Sequence, residues 1–359
     1  MARVFRVIDT GVREGRRQIA FDQALVDLHS QGLSPDTVRF LRFEPCALVG
    51  RHQSVGQELK VDFCRANGIN IVRRVTGGGA IYLDPNQVGW EIVLSRRRLP
   101  MPTLADYTAA ICTAVAHGLS ESFGIDARFR PRNDIEVDGR KLCGTGGFFD
   151  GDTLFFQGTV LVDADPARVI SCLNVPEGKL KKRGLDKAES RLATLKTLLG
   201  GKPPPVLAVH AAVLAGLVEK LGIVAKDGEP SVEEEALADR IYQDEIGTHD
   251  FVHSIDTARL AGTQSATLTG PGGTIAAYVR QDGPAMRRTV REVIFTGDFF
   301  VTPPRVIYDL EASLRGVPVT NAGGAVTAFF TAAKPDLLSI APADFVAVLE
   351  AALTSEQSK

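Results

Sequence analysis

The residues with the clearest chemical potential form a glycine loop behind two arginines. The run reads Arg73-Arg74-Val75-Thr76-Gly77-Gly78-Gly79-Ala80-Ile81-Tyr82. Consecutive glycines allow a backbone path, and a close approach of a ligand, that other residues do not. Guanidinium groups bind carboxylate or phosphate in bidentate fashion. The run lacks the Gly-Lys-Ser/Thr of a Walker A loop and the GxGxxG spacing of a dinucleotide site. It indicates an anion-binding loop, although a tight hairpin with exposed arginines explains it slightly better when it is taken alone.

A second block pairs Asn133-Asp134 with Lys141 across an Asp138-Gly139 turn. Asparagine and aspartate at the start of a strand can hold an amino group or a hydrated Mg²⁺. Lys141, on the return strand, is placed to reach toward the glycine loop. An ammonium next to a phosphate would neutralise the charge that develops while an adenylate forms. The alternative is an exposed hairpin with a surface lysine.

A third block, Gln157-Gly158-Thr159, interrupts an otherwise apolar strand. A glycine inside a strand often marks the close approach of a ligand or of another backbone. The alternative is a β-bulge.

Taken in this order, the three blocks resemble the lipoate–protein ligase A family of the biotin/lipoate ligase superfamily. That family carries Arg-Arg-x-(Ser/Thr)-Gly-Gly-Gly-Ala, Arg-Asn-Asp, Gly-(Arg)-Lys-x-x-Gly and (His/Gln)-Gly-Thr-Leu. The likeness covers roughly residues 1–245 and includes three further segments. These segments are Gln18-Ile19-Ala20-Phe21-Asp22, Gly50-Arg51-His52-Gln53 and Ser190-Arg191-Leu192-Ala193-Thr194-Leu195. Residues 255–355, with Gly297-Asp298-Phe299-Phe300, resemble the family's small accessory domain.

The resemblance implies a fold, a reaction and its partners. The implied fold is α/β (α+β), with a mixed central β-sheet flanked by helices as in class II aminoacyl-tRNA synthetases and biotin ligases. Residues 1–248 would form the catalytic domain, and residues 249–359 a small α+β accessory domain that acts as a lid. The implied reaction activates lipoate with ATP and Mg²⁺ to lipoyl-AMP. The lipoyl group then passes to a lysine of an acceptor protein, which would be a lipoyl domain, a glycine-cleavage carrier or another lipoate-binding protein.

The resemblance also assigns roles to single residues. Lys141 is the implied catalytic lysine, and Asp134 would hold Mg²⁺ through a phosphate. The implied lipoate- and adenylate-binding residues are Arg51, Arg74, Thr76, Gly77, Gly78, Gly79, Ala80, Tyr82, Asn133, Asp134, Gly144, Gln157, Gly158 and Thr159. An adenylate-binding loop would contain Lys179, Lys181, Lys182 and Arg183. One departure is Leu83, which stands where the family usually has histidine and bears on substrate selectivity rather than on the reaction.

Two other functions remain as alternatives. An octanoyl or lipoyl transferase works without ATP, through a cysteine thioester. The two places where such enzymes carry the cysteine, here residues 129–132 and 174–177, contain none. Cys143 and Cys172 are instead expected to be packed thiols. A non-catalytic lipoate-binding protein is less compatible with the presence of both Lys141 and the glycine loop, and a biotin ligase would need a Gly-Arg-Gly-Arg-x-Gly run that is missing.

Composition excludes several other classes. The chain has 359 residues and a net charge of −2, which predicts two domains and no global attraction to nucleic acid. The basic run at 179–183 is short and has no interleaved aromatic residues. Five cysteines without a CxxC pair argue against a disulfide framework or a zinc site. No apolar stretch approaches the length of a membrane span, and the N-terminus has no signal-like pattern. The expectation is a cytoplasmic monomer.

Hydrophobic periodicity predicts the elements that position these blocks. Residues 15–30 form an amphipathic helix, and 107–123 and 207–221 form two more. Residues 37–50 are expected to form a hairpin around Glu44-Pro45. Residues 225–235 are expected to be an exposed connector, in which Ser231 and Glu234 can cap a helix over 232–246. Strands over 274–281 and 289–295 flank a turn at 282–284, and helices follow at 303–314 and 344–353.

Overall fold

The computed structural model describes residues 3–174, 191–256, 262–270 and 272–355. The elements of its N-terminal part are β1 (Arg3–Arg13), α1 (Gly15–Ser30), β2 (Thr37–Phe43), β3 (Cys46–Val49), α2 (Val55–Glu58), α3 (Val61–Ala66), β4 (Asn70–Arg73), β5 (Ile81–Leu83), β6 (Gln87–Ser95), α4 (Leu104–Phe123), β7 (Arg128–Arg130), β8 (Asp134–Val137), β9 (Arg140–Asp150), β10 (Thr153–Leu161), α5 (Pro166–Cys172), α6 (Leu195–Leu198), α7 (Val206–Leu221), β11 (Ile223–Asp227), α8 (Val232–Ile241), a π-helical turn (Tyr242–Ile246) and α9 (His249–His253).

The C-terminal part is shorter. Its elements are β12 (Gln264–Gly270), β13 (Gly273–Asp282), a 3₁₀ turn (Ala285–Arg287), β14 (Thr289–Gly297), β15 (Val301–Thr302), α10 (Val306–Ser313), a 3₁₀ turn (Val319–Asn321), α11 (Ala322–Ala333), β16 (Asp336–Leu337) and α12 (Pro342–Thr354).

Eight strands form the central sheet, in the order β11-β1-β2-β6-β10-β9-β8-β7. β11, β1 and β2 run parallel, and every pair from β2 to β7 is antiparallel. The inner strands β6 and β10 are buried along almost their whole length because helices cover both faces of the sheet. The predicted fold class, a mixed central sheet flanked by helices, is confirmed.

Two helix pairs cover the sheet. On one face α4 packs against α7, and glycines allow the close crossing. A methyl group on Gly118 would stand 2.0 Å from the carbonyl oxygen of Ala212, and one on Gly216 would stand 2.0 Å from that of Ala114. On the other face α1 and α8 share a hydrophobic cluster with β2 and β10. Among the described residues, no helix has the length and apolar character needed to cross a bilayer.

A small sheet in the order β4-β3-β5 lies beyond α1 and carries the glycine loop. The hairpin predicted over residues 37–50 is wrong, because β2 pairs within the central sheet and β3 within the small one. The loop is not a hairpin either, since β4 and β5 lie on opposite sides of β3. Two short apolar runs around Glu44-Pro45 fit a hairpin locally, but alternation does not determine which strand is the partner.

The segment expected to be an exposed connector also differs. Ile223–Asp227 forms edge strand β11, parallel to β1. Its charged and small residues suit an edge strand, where only one side of the backbone is paired. The predicted cap of the next helix is confirmed, because Ser231 Oγ accepts from the amide of Glu234 and the Glu234 carboxylate accepts from the amide of Ser231.

The C-terminal part has its own hydrophobic cluster, built by the antiparallel sheet β12-β13-β14 and helices α10, α11 and α12. The predicted strand pair around residues 282–284 is confirmed as β13 and β14. Residues 249–256 pack against the rest of the N-terminal part, because Arg73 donates to the carbonyls of Phe251 and Val252 and Asp256 accepts from the amide of Val55. The domain boundary at residue 248 stays a prediction.

Candidate active site

A cavity of about 610 Å³ lies between the central sheet and the small sheet. Its apolar end is lined by residues of α1, β2, β3 and β5, namely Ile19, Leu41, Phe43, Leu48, Ile81 and Leu83. Its other end carries charge, with Arg74, Arg130, Asp134, Lys141 and Arg191 in the lining. A long apolar chain that ends in an anion would match both ends of such a cavity.

The cavity floor is the α1-facing side of β6, β10 and β9. Gly89, Thr159 and Gly144 pair across these strands in one row, and Glu91, Gln157 and Gly146 pair in the next. Three of these six residues are glycines, and the side chains of Leu41, Lys141 and Phe300 lie close above Gly89, Gly144 and Gly146, respectively. A side chain on Gly158 would point to the opposite face of the sheet, where a methyl group would stand 2.4 Å from Cζ2 of Trp90.

Arg74 curls around the glycine loop. Its Nε donates to Thr76 Oγ1 at 3.1 Å, and its Nη2 donates to the carbonyls of Gly77 and Gly79 at 2.7 and 2.9 Å. Its Nη1 is buried and has no hydrogen-bond partner among the described residues. Burial lowers the pKa of Arg74 to about 10, so the side chain stays charged at neutral pH. Arg74 lines the cavity as a cation, which suits an anionic ligand.

Arg73, which precedes Arg74 in the motif, and Arg51, a predicted binding residue, do not line the cavity. Arg73 is buried, and its guanidinium donates to main-chain carbonyls, including those of Gln53 at 2.7 Å and Val252 at 2.7 Å. Arg51 does not line the cavity, and its guanidinium lies 5.7 Å from the ring centroid of Tyr308. Of the two arginines in the loop motif, only Arg74 therefore faces the cavity.

Lys141 and Asp134 form the centre of the charged end. Lys141 Nζ lies 2.9 Å from Asp134 Oδ1, and Arg130 contacts Oδ2 of the same carboxylate. Burial alone would raise the pKa of Asp134, but Lys141 and Arg130 hold that pKa below its ordinary value. The lysine folds back over Gly144, where a methyl group would stand 2.5 Å from Nζ.

Asn133 is held beside this pair. Its Nδ2 donates to the carbonyl of Thr145 at 2.6 Å, and its own carbonyl accepts from the amide and hydroxyl of Thr145. Arg132, just before it, has a φ of 109°, which is an unfavourable conformation for a residue with a side chain. Such strain is typical of functional sites, where the surrounding contacts maintain it.

A buried ionic group lies under the apolar end. Arg39 Nη1 contacts Asp22 Oδ1 at 2.6 Å and Glu91 Oε2 at 2.8 Å, and all three side chains are almost fully buried. Burial raises the pKa of both carboxyls. One guanidinium between two carboxyls is neutral overall when one of them holds a proton. Glu91 then presents little charge to the cavity that it lines.

The other predicted site residues are distributed as follows. Thr76, Gly77, Gly78, Gly79, Ala80, Tyr82, Gln157, Gly158 and Thr159 all line the cavity, as does Leu83 at the apolar end. Gln157 Nε2 donates to Thr76 Oγ1 at 2.7 Å, which joins the third block to the first. Lys179, Lys181, Lys182 and Arg183 lie outside the described residues. The roles assigned to single residues stay predictions.

Several lining residues escaped sequence reasoning. Arg130 contacts Asp134 from β7, Glu91 lies in the apolar strand β6, and Phe300 reaches the cavity from the C-terminal part. Arg130 stands four residues before Asp134 and could have been found from that spacing across the β7–β8 hairpin. Nothing local marks Phe300 as a cavity residue.

A family model described as the lipoyl protein ligase A/B catalytic domain matches residues 14–218. Lipoate-protein ligase LplJ of Bacillus subtilis is 29% identical over 159 residues, which are 44% of this chain and 46% of LplJ. Octanoyltransferase LipM of Kyrpidia tusciae is 27% identical over 261 residues, which are 66% of this chain and 94% of LipM. The chain is thus similar to an octanoyltransferase as well as to a ligase, and the match spans under half the length of LplJ.

Solved structures share the fold. The crystal structure of a lipoate-protein ligase A bound with ATP matches with a TM-score of 0.62 and 22% identity, over 70% of this chain and 99% of that one. Plasmodium falciparum LipL1 in complex with lipoate matches with a TM-score of 0.74 and 13% identity, over 96% of this chain and 98% of that one. At these identities the likeness concerns the fold.

Proposed function

The chain belongs to the lipoyl protein ligase A/B catalytic domain family, and from this premise we propose that it is an ATP-dependent lipoate–protein ligase. It activates free lipoate as lipoyl-AMP and transfers the lipoyl group to a lysine of an acceptor protein. The observation that carries the proposal is the cavity. It joins an apolar end to a charged end that contains Arg74 and in which Lys141 Nζ lies 2.9 Å from Asp134 Oδ1.

The geometry suggests how the substrate lies. The acyl chain fits the apolar end between Leu41, Phe43 and Leu83, so its carboxylate faces Arg74 and Lys141. Among the described residues, four cations and two acids line the cavity, namely Arg74, Arg130, Lys141, Arg191, Asp134 and Glu91. One of the acids, Glu91, forms a buried ion pair with Arg39. The net positive end attracts both the carboxylate and the phosphates of ATP.

The first half-reaction joins the carboxylate to the nucleotide. A carboxylate oxygen of lipoate forms a bond to the α-phosphorus of ATP, and the bond from that phosphorus to the β-phosphate oxygen breaks. Pyrophosphate leaves, and lipoyl-AMP stays. Negative charge develops on the phosphate oxygens during this step, and a fixed ammonium such as Lys141 stabilises it without reorganisation. In the second half-reaction an acceptor lysine attacks the carbonyl carbon and AMP leaves.

The residues of this site fit magnesium only when the ion is bound to the phosphates of the nucleotide. The carboxylate at the charged end, Asp134, already faces Lys141 and Arg130. Among the described residues, no group of three histidine, cysteine, aspartate or glutamate side chains could hold a metal ion. The proposal therefore assigns the ion to the phosphates of MgATP and no step to a protein-bound metal.

The similarity to LipM makes octanoyl transfer the competing function. That chemistry needs a reactive cysteine thiolate. All five cysteines are buried, and none of the described residues that line the cavity is a cysteine. Burial raises the pKa of Cys143 and of Cys172 to about 12, which leaves little thiolate at neutral pH. These observations favour the adenylate route.

Cys143→Ser and Cys172→Ser should each retain acyl transfer to an acceptor, because the adenylate route forms no thioester with the enzyme. Intact-mass measurement of acceptor and enzyme after the reaction tests this. An acyl-enzyme that forms in the unchanged chain and disappears in either variant would favour the transferase instead.

Pyrophosphate release provides the direct test of activation. With lipoate and MgATP, and without any acceptor, the enzyme should release pyrophosphate and form lipoyl-AMP detectable by mass spectrometry. Octanoate serves as a second acid that probes selectivity at the apolar end. Pyrophosphate release that does not depend on an added acid would contradict the proposal.

The acceptor and the domain roles follow as proposals. A solved bipartite lipoate protein ligase of Thermoplasma acidophilum is reported together with its E2 lipoyl domain. By analogy we take a lipoyl domain as the first acceptor to test, with a glycine-cleavage carrier as the second. The C-terminal part, proposed as a separate accessory domain, contacts the glycine loop through the amide of Gly78 and the carbonyl of Phe299 at 3.1 Å.

A further inference from the structure

We propose that Phe300, supplied by the C-terminal part, is the residue that keeps water away from the acyl-adenylate at the charged end of the cavity. The inference rests on the proposed function and adds a site residue outside the region that the family model matches, residues 14–218. It starts from one aromatic ring that lies close to two glycines, Gly78 and Gly146.

The Phe300 ring occupies space that two glycines leave open. A methyl group on Gly146 would stand 2.3 Å from its Cε1, and one on Gly78 would stand 2.6 Å from its Cζ. Both distances are far below van der Waals contact. Gly78 belongs to the glycine loop and Gly146 to the cavity floor, so the ring bridges the loop and the floor. Phe300 is 5% exposed and lines the cavity.

The ring stands next to the proposed reacting centre. Gly144 and Gly146 are alternate residues of β9 and face the same side, about 7 Å apart. Lys141 Nζ lies over Gly144, and Phe300 lies over Gly146. The position that a methyl group on Gly78 would take is also 2.9 Å from Arg74 Nη2. The ring is therefore flanked by the two cations to which the proposal assigns the carboxylate and the phosphate.

The backbone on either side fixes the position of the ring. The carbonyl of Phe299 accepts from the amide of Gly78 at 3.1 Å, and a methyl group on Gly77 would collide with the same oxygen at 2.1 Å. The amide of Gly297 donates to the carbonyl of His52 at 2.9 Å. Thr302 Oγ1 accepts from the amide of Phe149 at 2.6 Å. The segment 297–302 is thus anchored to the N-terminal part before and after the ring.

An apolar ring at this place has a chemical consequence. In the loss reaction a water oxygen bonds to the carbonyl carbon of lipoyl-AMP, and the bond from that carbon to the phosphate oxygen breaks. AMP and free lipoate leave, and the proton of water is released. Cations that stabilise the activated carbonyl group also favour this attack. A ring that offers no hydrogen-bond partner excludes the water without weakening those cations.

The experiment follows lipoyl-AMP without an acceptor. Enzyme is mixed with lipoate and MgATP, and pyrophosphate, AMP and bound lipoyl-AMP are measured over time. The unchanged chain should release pyrophosphate in a single-turnover burst and then only slowly, because the adenylate is retained. In Phe300→Ala the rate of the phase that follows the burst should rise by about tenfold, equivalent to about 1.4 kcal/mol. AMP should form at the rate of this later pyrophosphate release, and lipoate should be regenerated in the same amount, because lipoyl-AMP is hydrolysed.

Two further variants separate water exclusion from folding. Phe300→Leu keeps an apolar anchor but loses the ring edge over Gly146, and we expect a smaller rise in the slow rate. Phe329→Ala is the matched control, because this residue packs on the C-terminal cluster and does not line the cavity. A slow phase in Phe300→Ala equal to that of the unchanged chain would overturn the inference, as would an equal rise in Phe329→Ala. If the unchanged chain shows no lipoate-dependent burst, the proposed function itself fails.

Discussion

Lys141→Ala is expected to lower lipoate-dependent pyrophosphate release by about a hundredfold while the protein stays folded. A single charge contact of this kind contributes on the order of 3 kcal/mol to the transition state. The side chain is 32% exposed and contacts Asp134, and Lys141 belongs to none of the hydrophobic clusters of the described residues. Its removal therefore costs little packing. Pre-steady-state pyrophosphate release and the thermal midpoint, measured on the same preparation, test both halves of this expectation.

Two variants serve as controls for Lys141. Lys196 forms an equivalent ion pair with Asp163 at 2.9 Å and does not line the cavity, so Lys196→Ala should leave activation unchanged. Lys141→Arg should restore the reaction only in part, because a planar guanidinium does not replace a compact ammonium at one oxygen. Near-normal activation by Lys141→Ala would show that the reacting centre has been placed wrongly.

Gly144→Ala should reduce activation by up to about a hundredfold through displacement of the lysine, since a misplacement of about 1 Å can have that effect. The new methyl group would stand 2.5 Å from Lys141 Nζ and 2.6 Å from its Cε. These atoms are the far end of a flexible side chain, which can swing away at little cost to the fold. Activity should therefore fall much more than stability does. The measurement compares the rate of pyrophosphate release with the denaturant midpoint.

Gly56→Ala is the matched control for this variant. No atom lies within 4 Å of the position that its methyl group would take, so both activity and stability should be kept. If Gly144→Ala instead loses stability and activity in parallel, the glycine serves the sheet rather than the position of Lys141.

The hairpin that carries Lys141 was predictable from the sequence because its determinants are local. Asp138 and Gly139 have φ values of 51° and 73°, which this residue pair tolerates in a tight turn. β8 and β9 pair around that turn as predicted. The order of the three blocks likewise indicated one site, and the hydrogen bond from Gln157 to Thr76 joins two of them.

The glycine loop shows what sequence reasoning missed. The sequence predicts that the glycines make space for a ligand, but Gly77 and Gly78 also leave room for the backbone of Phe299 and the ring of Phe300. These contacts connect residues more than two hundred positions apart, and no local pattern encodes them. In the same way, the motif does not reveal that Arg73 is bound to main-chain carbonyls while Arg74 faces the cavity.

The central claim is that acyl transfer by this chain requires ATP and a free acid. The most direct test incubates the enzyme with a purified lipoyl domain and measures the intact mass of that domain. One reaction contains lipoate and MgATP, a second contains lipoate alone, and a third contains an octanoyl-carrier thioester without ATP. We expect the mass of one lipoyl group on a single lysine in the first reaction and no change in the other two. Modification in the third reaction, with none in the first, would contradict the ligase and identify an acyltransferase.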